Sequence, residues 1–354
     1  MSDLMLDSLR IQNFRTFKDL TIDRLGRVNL IVGKNNVGKT SLLEGLQLYV
    51  RGGTGSSLTD IVDGRQLNAL DEYRSTTESE FGVSLPSERH LFFKRPDLSM
   101  VGPDDEKLPA SPPISIRSTP ERNQPFRMWL ELFPDPDSVV DLRIQVGEEE
   151  GVSSRVLGEK TVSVFLSSRD VRAEAEKYWK QIELTEDEDR IIDALQIVEE
   201  VKGVGLTAPR SKNGGPNAAD RLPIARLEGQ DRPEPLSNLG EGMNRIFAMT
   251  VGLIRAEDGI LLIDEIENGL HYSVQPDLWR MVFKTAQELD VQVFATTHSY
   301  DCVQAFQQVA EDYGPSESML VSLRRREADP EDIVAVLSDR EDLSAVVDAN
   351  IEVR

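Results

Sequence analysis

The chain has 354 residues, of which 39% are hydrophobic and 29% charged, and its formal net charge is −22. This composition is typical of a soluble globular protein with one large domain or two, and no apolar run approaches the roughly 18 residues of a membrane helix. The negative charge repels a phosphate polymer from most of the surface, so any contact with DNA must be local. The acidic N-terminus does not resemble a signal peptide, and one cysteine, Cys302, excludes an internal disulfide. We therefore expect a cytoplasmic protein without a membrane partner.

Short apolar runs in residues 4–32 predict two or three strands, and a helix is expected over residues 39–49. Residues 103–125 are rich in proline and polar side chains, which favours an irregular insertion. Three stretches that alternate with period two then predict antiparallel strands: FRMWLELF, SVVDLRIQV and KTVSVFLSS. Further on, Thr185 and Glu188 have the spacing of a capping box at the start of an acidic helix.

From Leu236 onward the pattern alternates amphipathic helices with continuous apolar strands. The helical stretches include GMNRIFAMTVGLIR and QPDLWRMVFKTAQEL, and the strands include GILLIDE and VQVFATTHS. Continuous apolar strands between helices predict a parallel sheet that is covered on both faces. We therefore expect an α/β fold.

The stretch GKNNVGKT, residues 33–40, matches G-x-x-x-x-G-K-[ST] directly after an apolar strand and before a helix. Glycines let the backbone curl so that its N–H groups point at phosphate oxygens, and the helix N-terminus adds its positive dipole end. Lys39 is expected to reach the β- and γ-phosphates, and Thr40 to ligate Mg²⁺. The turn is predicted to hold a nucleoside triphosphate through Gly33, Asn35, Asn36, Val37, Gly38, Lys39, Thr40 and Ser41.

Two carboxylates follow the apolar run at residues 260–263. Asp264 is expected to support the Mg²⁺ shell, and Glu265 to orient or deprotonate the attacking water. His298 ends the next apolar strand, where a neutral imidazole can bond a γ-phosphate or that water. The roles of His271 and His90 stay open.

This order of motifs resembles the ATPase domain of the ABC-type superfamily, and more closely the branch that contains RecF, the SMC proteins and the OLD (overcoming lysogenization defect) family. The resemblance rests on LRIQNFRTFKDLTIDRLGRVNLIVGKNNVGKTSLLEGL, PLSNLGEGMNRI, ILLIDEIENGLH and ATTHS, which are similar to the N-terminal sheet with Walker A, the signature motif, Walker B with the D-loop, and the switch histidine. It implies an ABC-type P-loop NTPase domain with a mixed N-terminal β-subdomain, a parallel-sheet core and a helical lobe.

The resemblance also implies site residues and a partner. In this superfamily two ATPase domains face each other, and the signature of one closes over the ATP and Mg²⁺ held by the other. That contact is assigned to Ser237, Gly240, Glu241 and Gly242, with either Ser237 or Gly240 taking the place of the signature serine. By the same resemblance Asn268 lies at the dimer seam, and Arg15 and Thr16 lie near the base.

We expect a single domain over residues 1–354. Its segments are 1–50 with the N-terminal strands and Walker A, 51–125 with a partly irregular insertion, 126–235 with strands and a helical lobe, 236–325 with the signature, Walker B, D-loop and switch histidine, and 326–354 as a tail.

The leading hypothesis for function is an ATP-driven switch that dimerises on ATP and regulates a separate effector. By resemblance that effector is a TOPRIM-type nuclease in prokaryotic anti-phage defence or DNA repair. It is expected to be a separate chain, because the residues after His298 are too few to contain such a domain. One alternative is a RecF-like repair ATPase that binds DNA through a local basic stripe at residues 324–326. A more remote one is the ATP-binding subunit of a transporter, which predicts a full L-S-G-G-Q signature that is absent here.

Overall fold

A computed structural model describes residues 4–51, 93, 114–118, 127–133, 141–147, 162–167, 182, 185–207, 222–230, 232–314 and 316–338. Most of the expected insertion and the tail beyond residue 338 lie outside these ranges. Within them the strands form three sheets, of six, five and three strands. No helix among these residues combines the length and the apolar character that crossing a bilayer requires.

The six-stranded sheet is the core of the fold. Five of its strands run parallel, as the alternating pattern predicts, and one edge strand, which was not predicted, is antiparallel. Its central strands carry only buried residues, which is why they read as continuous apolar runs. In spatial order the strands are β14 (Asp329–Ser338), β13 (Ser318–Arg326), β3 (Val28–Val32), β12 (Gln292–Thr296), β11 (Ile260–Ile263) and β7 (Ser163–Leu166).

Helices cover both faces of this sheet, because alternate residues of each strand point to opposite sides. On one face Leu261 and Ile263 join a large hydrophobic cluster with three helices of the C-terminal half. On the other face Ile260 and Leu262 pack with the helix after the phosphate loop and with the N-terminal strands. The helices are α1 (Lys39–Val50), α2 (Glu186–Leu195), α3 (Glu241–Arg255), α4 (Gln275–Glu288) and α5 (Tyr300–Ala310), and Thr185 caps α2 as predicted.

The second sheet is antiparallel, and its N-terminal strands pack against the same face of the core sheet as α1. Its spatial order is β2 (Phe17–Ile22), β1 (Leu9–Phe14), β4 (Ile114–Arg117), β5 (Arg127–Phe133) and β6 (Asp141–Gly147). A third, small sheet has the order β10 (Glu234–Pro235), β9 (Leu222–Leu227) and β8 (Val201–Thr207).

Two predictions about strands are corrected by this topology. The stretch KTVSVFLSS is not antiparallel, since β7 pairs in parallel with β11 at the sheet edge, and an edge strand shows the same alternation in either direction. Residues 103–125 are not irregular throughout, because β4 pairs with β1 within them. The four residues of β4 were not predicted as a strand, because the sequence around them is rich in proline.

We expect Phe306→Ala to destabilise the fold strongly. Phe306 is fully buried on α5 and meets the ring of Trp279 on α4 edge-on, with centroids 4.9 Å apart. Losing the ring should lower the free energy of unfolding by about 3–5 kcal/mol. Tyr272→Ala removes an aromatic ring that is 63% exposed and should change it by less than about 0.5 kcal/mol. Equilibrium urea unfolding followed by circular dichroism compares the two, and equal effects would contradict the packing described.

Candidate active site

The parallel strands bring the predicted site residues to one edge of the core sheet. β3, β11 and β12 end at Val32, Ile263 and Thr296, and the phosphate loop, the two carboxylates and the histidine follow these three ends. Open α/β sheets bind ligands at the carboxyl ends of their strands. The fold therefore gathers the chemistry of three distant segments into one crevice.

The phosphate loop adopts a conformation that needs its glycines. Gly38 has φ +100°, and a Cβ there would lie 2.5 Å from the hydroxyl oxygen of Thr16. At Gly33 a Cβ would lie 2.5 Å from the carbonyl oxygen of Leu323 on β13. Asn36 also has positive φ, at +61°. The loop is thus held closely by the β1–β2 turn on one side and by β13 on the other.

Lys39 folds over the loop that precedes it. Its ammonium donates hydrogen bonds to the carbonyl oxygens of Gly33, at 2.7 Å, and Lys34, at 3.3 Å. Burial lowers the pKa of Lys39, and this effect outweighs the attraction of carboxylates that include Asp264. The ammonium therefore lies at the loop as a cation whose hydrogen bonds to carbonyls can be exchanged for bonds to phosphate oxygens.

The residues expected at the metal fit Mg²⁺. The hydroxyl of Thr40, in the first turn of α1, donates to Asp264 Oδ2 at 3.1 Å, so a hydroxyl and a carboxylate converge. Asp264 Oδ1 accepts a hydrogen bond of 2.6 Å from the hydroxyl of Thr296, which orients the carboxylate. Oxygen ligands in small number suit Mg²⁺, which is commonly completed by substrate phosphates and water. No cluster of three or more His, Cys, Asp or Glu side chains that could hold a metal ion occurs among the described residues.

Glu265 is held in an unusual backbone conformation. Its φ is +52°, a left-handed value that costs a non-glycine residue about 1–3 kcal/mol. Its N–H donates to the hydroxyl of Thr296 at 2.9 Å, and its carbonyl accepts from Arg245 at 2.9 Å. Both ends of this residue are therefore fixed, while its side chain stays 40% exposed towards the crevice.

Arg245 is a site residue that the sequence interpretation missed. It lies buried on α3 and also donates to the carbonyls of Asp264 and Ser167. Burial lowers the pKa of Arg245, against the attraction of nearby carboxylates such as Asp264. A charged residue among the apolar positions of GMNRIFAMTVGLIR was the available signal, because an arginine is rarely buried without specific partners.

His298 lies beside Glu265, as predicted, and also beside a carboxylate that was not predicted. Its Nδ1 is 4.0 Å from Glu265 Oε1 and 3.2 Å from Glu267 Oε1. The histidine side chain is 58% exposed, whereas that of Glu267 is 8% exposed. His271, by contrast, caps the short 3-10 helix Tyr272–Val274 through Ser273, and His90 lies outside the described residues.

The signature segment forms an exposed helix start. Gly240 (φ +110°) immediately precedes α3, which begins at Glu241 without a side-chain cap, one residue before the predicted stretch GMNRIFAMTVGLIR. Ser237 lies exposed in a 3-10 turn before it. A Cβ on Gly242 would lie 3.0 Å from the carbonyl oxygen of Gly269, so α3 begins against the turn that contains Asn268. The signature and the D-loop are thus direct neighbours in one chain.

Arg15 and Thr16 contact the phosphate loop and its helix. The guanidinium of Arg15 lies 3.2 Å from the carboxylate of Glu44 on α1, and both side chains are largely buried. Thr16 lies over Gly38. This turn therefore supports the loop from behind, and a contact with the base stays a prediction.

The fold and this arrangement define the class of the protein as a P-loop ATPase. The chain belongs to the family described as "AAA domain, putative AbiEii toxin, Type IV TA system", which matches residues 28–301. It is similar to an "ATP/GTP phosphatase" of Helicobacter pylori, with 22% identity over 337 residues that cover 86% of this chain and 88% of that protein. Both findings support ATP hydrolysis as its enzymatic activity, and the predicted ABC-type resemblance is confirmed.

Two further similarities agree with this class. "DNA replication and repair protein RecF" of Clostridioides difficile is 44% identical over 45 residues, which are 13% of this chain and 12% of that protein. The solved structure "Crystal structure of the SmcHead bound to the C-winged helix domain of ScpA" superposes with a TM-score of 0.58 at 12% identity, covering 95% of this chain and 98% of that one. The second similarity shows a shared fold.

We expect Thr296→Val to slow ATP turnover by about 10- to 100-fold. The change keeps the shape of the side chain but removes the hydroxyl that joins Asp264 to the Glu265 N–H. Thr250→Val is the matched control, since Thr250 is equally buried but donates only to a carbonyl of its own helix. Steady-state ATPase assays of both variants test this. Equal activities would show that the hydroxyl bridge does not position the site.

Proposed function

We propose that the chain is a Mg²⁺-dependent ATP hydrolase that dimerises on ATP and, through this closure, regulates a separate effector. The observation that carries the proposal is a pair of hydrogen bonds between α3, the helix that follows the predicted signature, and the two acidic residues after β11. Arg245 on α3 donates to the carbonyls of Asp264 and Glu265, so α3 is hydrogen-bonded directly to the two acidic residues. An event at the start of α3 is therefore transmitted to the catalytic carboxylate.

Within one chain, each residue at the sheet edge has a different role in hydrolysis. Lys39 binds the β- and γ-phosphates in place of its present carbonyl partners. Thr40 and Asp264 would hold Mg²⁺, which when bound would supply neutralisation of phosphate charge. Glu265 takes a proton from the attacking water, and His298 lies within reach of the same water.

A second copy completes the site in this proposal. The start of α3 has no side-chain cap, and Gly240 and Glu241 are exposed there, so this helix N-terminus is proposed as a site for anions. Within its own chain this helix start packs on Gly269, in the turn after the acidic strand. The start of α3 in one copy would then bind the γ-phosphate held by the other, and hydrolysis would release it.

The effector is proposed to be a separate chain, with a TOPRIM-type nuclease in anti-phage defence or DNA repair as the leading identity. Support comes from the resemblance to the OLD-like branch and from the similar structure in which an SMC head is bound to a domain of ScpA. Purification of tagged Glu265→Gln protein from its native host in Mg-ATP, followed by mass spectrometry, tests this. A nuclease-like chain at stoichiometric level would support the proposal, and recovery of the protein alone or with DNA would contradict it.

We expect Lys39→Ala and Glu265→Gln to fail at different steps. Loss of the lysine removes a charge-assisted bond and should weaken ATP binding by about 10- to 100-fold. Glu265→Gln should still bind ATP but turn it over about 10²- to 10⁴-fold more slowly, and should accumulate as a dimer. Nucleotide binding, turnover and light scattering separate these outcomes.

Glu311→Gln is the control for the second variant, because Glu311 is exposed at the far end of α5. Normal turnover by the Glu265→Gln protein would show that the general base is misassigned. A Glu265→Gln protein that binds ATP and stays monomeric would instead contradict dimerisation.

DNA binding without a nuclease is the second candidate, and the exposed arginines at the end of β13 favour it. Two of them already have partners, since Arg325 donates to the carbonyls of Asn36 and Pro330 and Arg326 pairs with Asp332. If DNA binds there, changing Arg324, Arg325 and Arg326 to Gln should lower the salt dependence of binding by about one unit for each phosphate that these side chains bind. Unchanged binding, compared with an Arg280→Gln control, would count against this location.

A further inference from the structure

A buried carboxylate next to the predicted switch histidine has no role in the proposed hydrolysis. Glu267 lies three residues after Asp264 and is only 7% exposed as a residue. Its Oε1 accepts the backbone N–H of His298 at 3.0 Å and lies 3.2 Å from Nδ1 of the same histidine. Its Oε2 is buried and has no hydrogen-bond partner among the described residues. Burying a carboxylate in this way is costly, so the contact with His298 needs an explanation.

The contact determines which ring nitrogen of His298 carries the proton. An ionised carboxylate only accepts hydrogen bonds, so Nδ1 must carry a proton to bond Glu267. In a neutral imidazole the other nitrogen, Nε2, then carries a lone pair and can only accept. One oxygen of Glu267 therefore contacts both the backbone N–H and Nδ1 of His298, and Nε2 makes no hydrogen bond among the described residues.

This hydrogen-bonding pattern distinguishes between the two expected partners of His298. A fully ionised γ-phosphate offers only acceptors, so it cannot bond a lone pair on Nε2. The attacking water has two protons to donate. Glu265 accepts one of them in the proposed hydrolysis, and its Oε1 lies 4.0 Å from Nδ1 of the histidine. Nε2 is an acceptor for the other.

We propose that Glu267 is a positioning residue that holds the proton on His298 Nδ1, so that His298 Nε2 accepts a hydrogen bond from the attacking water. The inference rests on the proposed hydrolysis at this site. In the step itself the water oxygen forms the new bond to the γ-phosphorus, the bond from phosphorus to ADP breaks, and Glu265 receives the proton. His298 orients the water and keeps its own proton on Nδ1.

The direct test is the tautomer of His298. The chain has only three histidines, so long-range ¹⁵N–¹H spectra of histidine-labelled protein are simple to assign with His298→Gln and His271→Gln variants. At a pH where the ring is neutral, the proposal predicts protonated Nδ1 and unprotonated Nε2 in the wild type, with this preference lost in Glu267→Ala. A proton on Nε2 in the wild type would overturn it. This readout does not require turnover.

The kinetic test is a double-mutant cycle. Glu267→Ala should lower kcat by about 10- to 100-fold with the KM for ATP unchanged, and Glu267→Gln, whose amide oxygen still accepts, should recover part of the loss. In a His298→Gln background Glu267→Ala should have no further effect. Glu288→Ala, at the opposite end of α4 from the crevice, is the control and should leave kcat unchanged.

The outcomes separate this inference from the function on which it rests. If the wild type hydrolyses ATP and Glu267→Ala loses the same factor with and without His298, the carboxylate acts on folding or on another group, and the inference is wrong. If the wild type does not hydrolyse ATP, the proposed function fails, while the spectra still decide the tautomer.

Discussion

The hydroxyl of Thr296 is the contact on which the geometry of the site depends. It donates to the carboxylate of Asp264 and accepts the N–H of Glu265, and so joins the last residue of one parallel strand to the residues after its neighbour. Arg245 holds the same two acidic residues by their carbonyls. Glu265 keeps a left-handed conformation because it is fixed from both directions.

This constraint connects fold and chemistry. Parallel strands bury their apolar residues on both faces, so the polar groups that follow them are concentrated at one edge. There the carboxylates attract the partly buried Lys39 and the buried Arg245, whose positive charges offset the negative charges of the acids. α3 joins this edge through Arg245, which hydrogen-bonds the carbonyls of both acidic residues.

Much of this arrangement could be predicted from local patterns. The phosphate loop, the run ending in Asp264 and Glu265, and His298 all follow continuous apolar strands, and these strands form the parallel sheet. The direction of β7 could not be predicted, because alternation reports burial and not pairing. Arg245, Thr296 and Glu267 were missed because their roles depend on contacts between segments that are distant in sequence.

The most direct test of the proposed site is a crystal structure of the protein with Mg²⁺, ADP and an aluminium fluoride mimic of the transferred phosphoryl group. We expect Thr40 and Asp264 around the metal, and the Glu265 carboxylate within about 3 Å of the apical water. We also expect the start of α3 from a second copy against the mimic. A Glu265 carboxylate turned away from that water, or a mimic enclosed by one copy alone, would contradict the proposed mechanism.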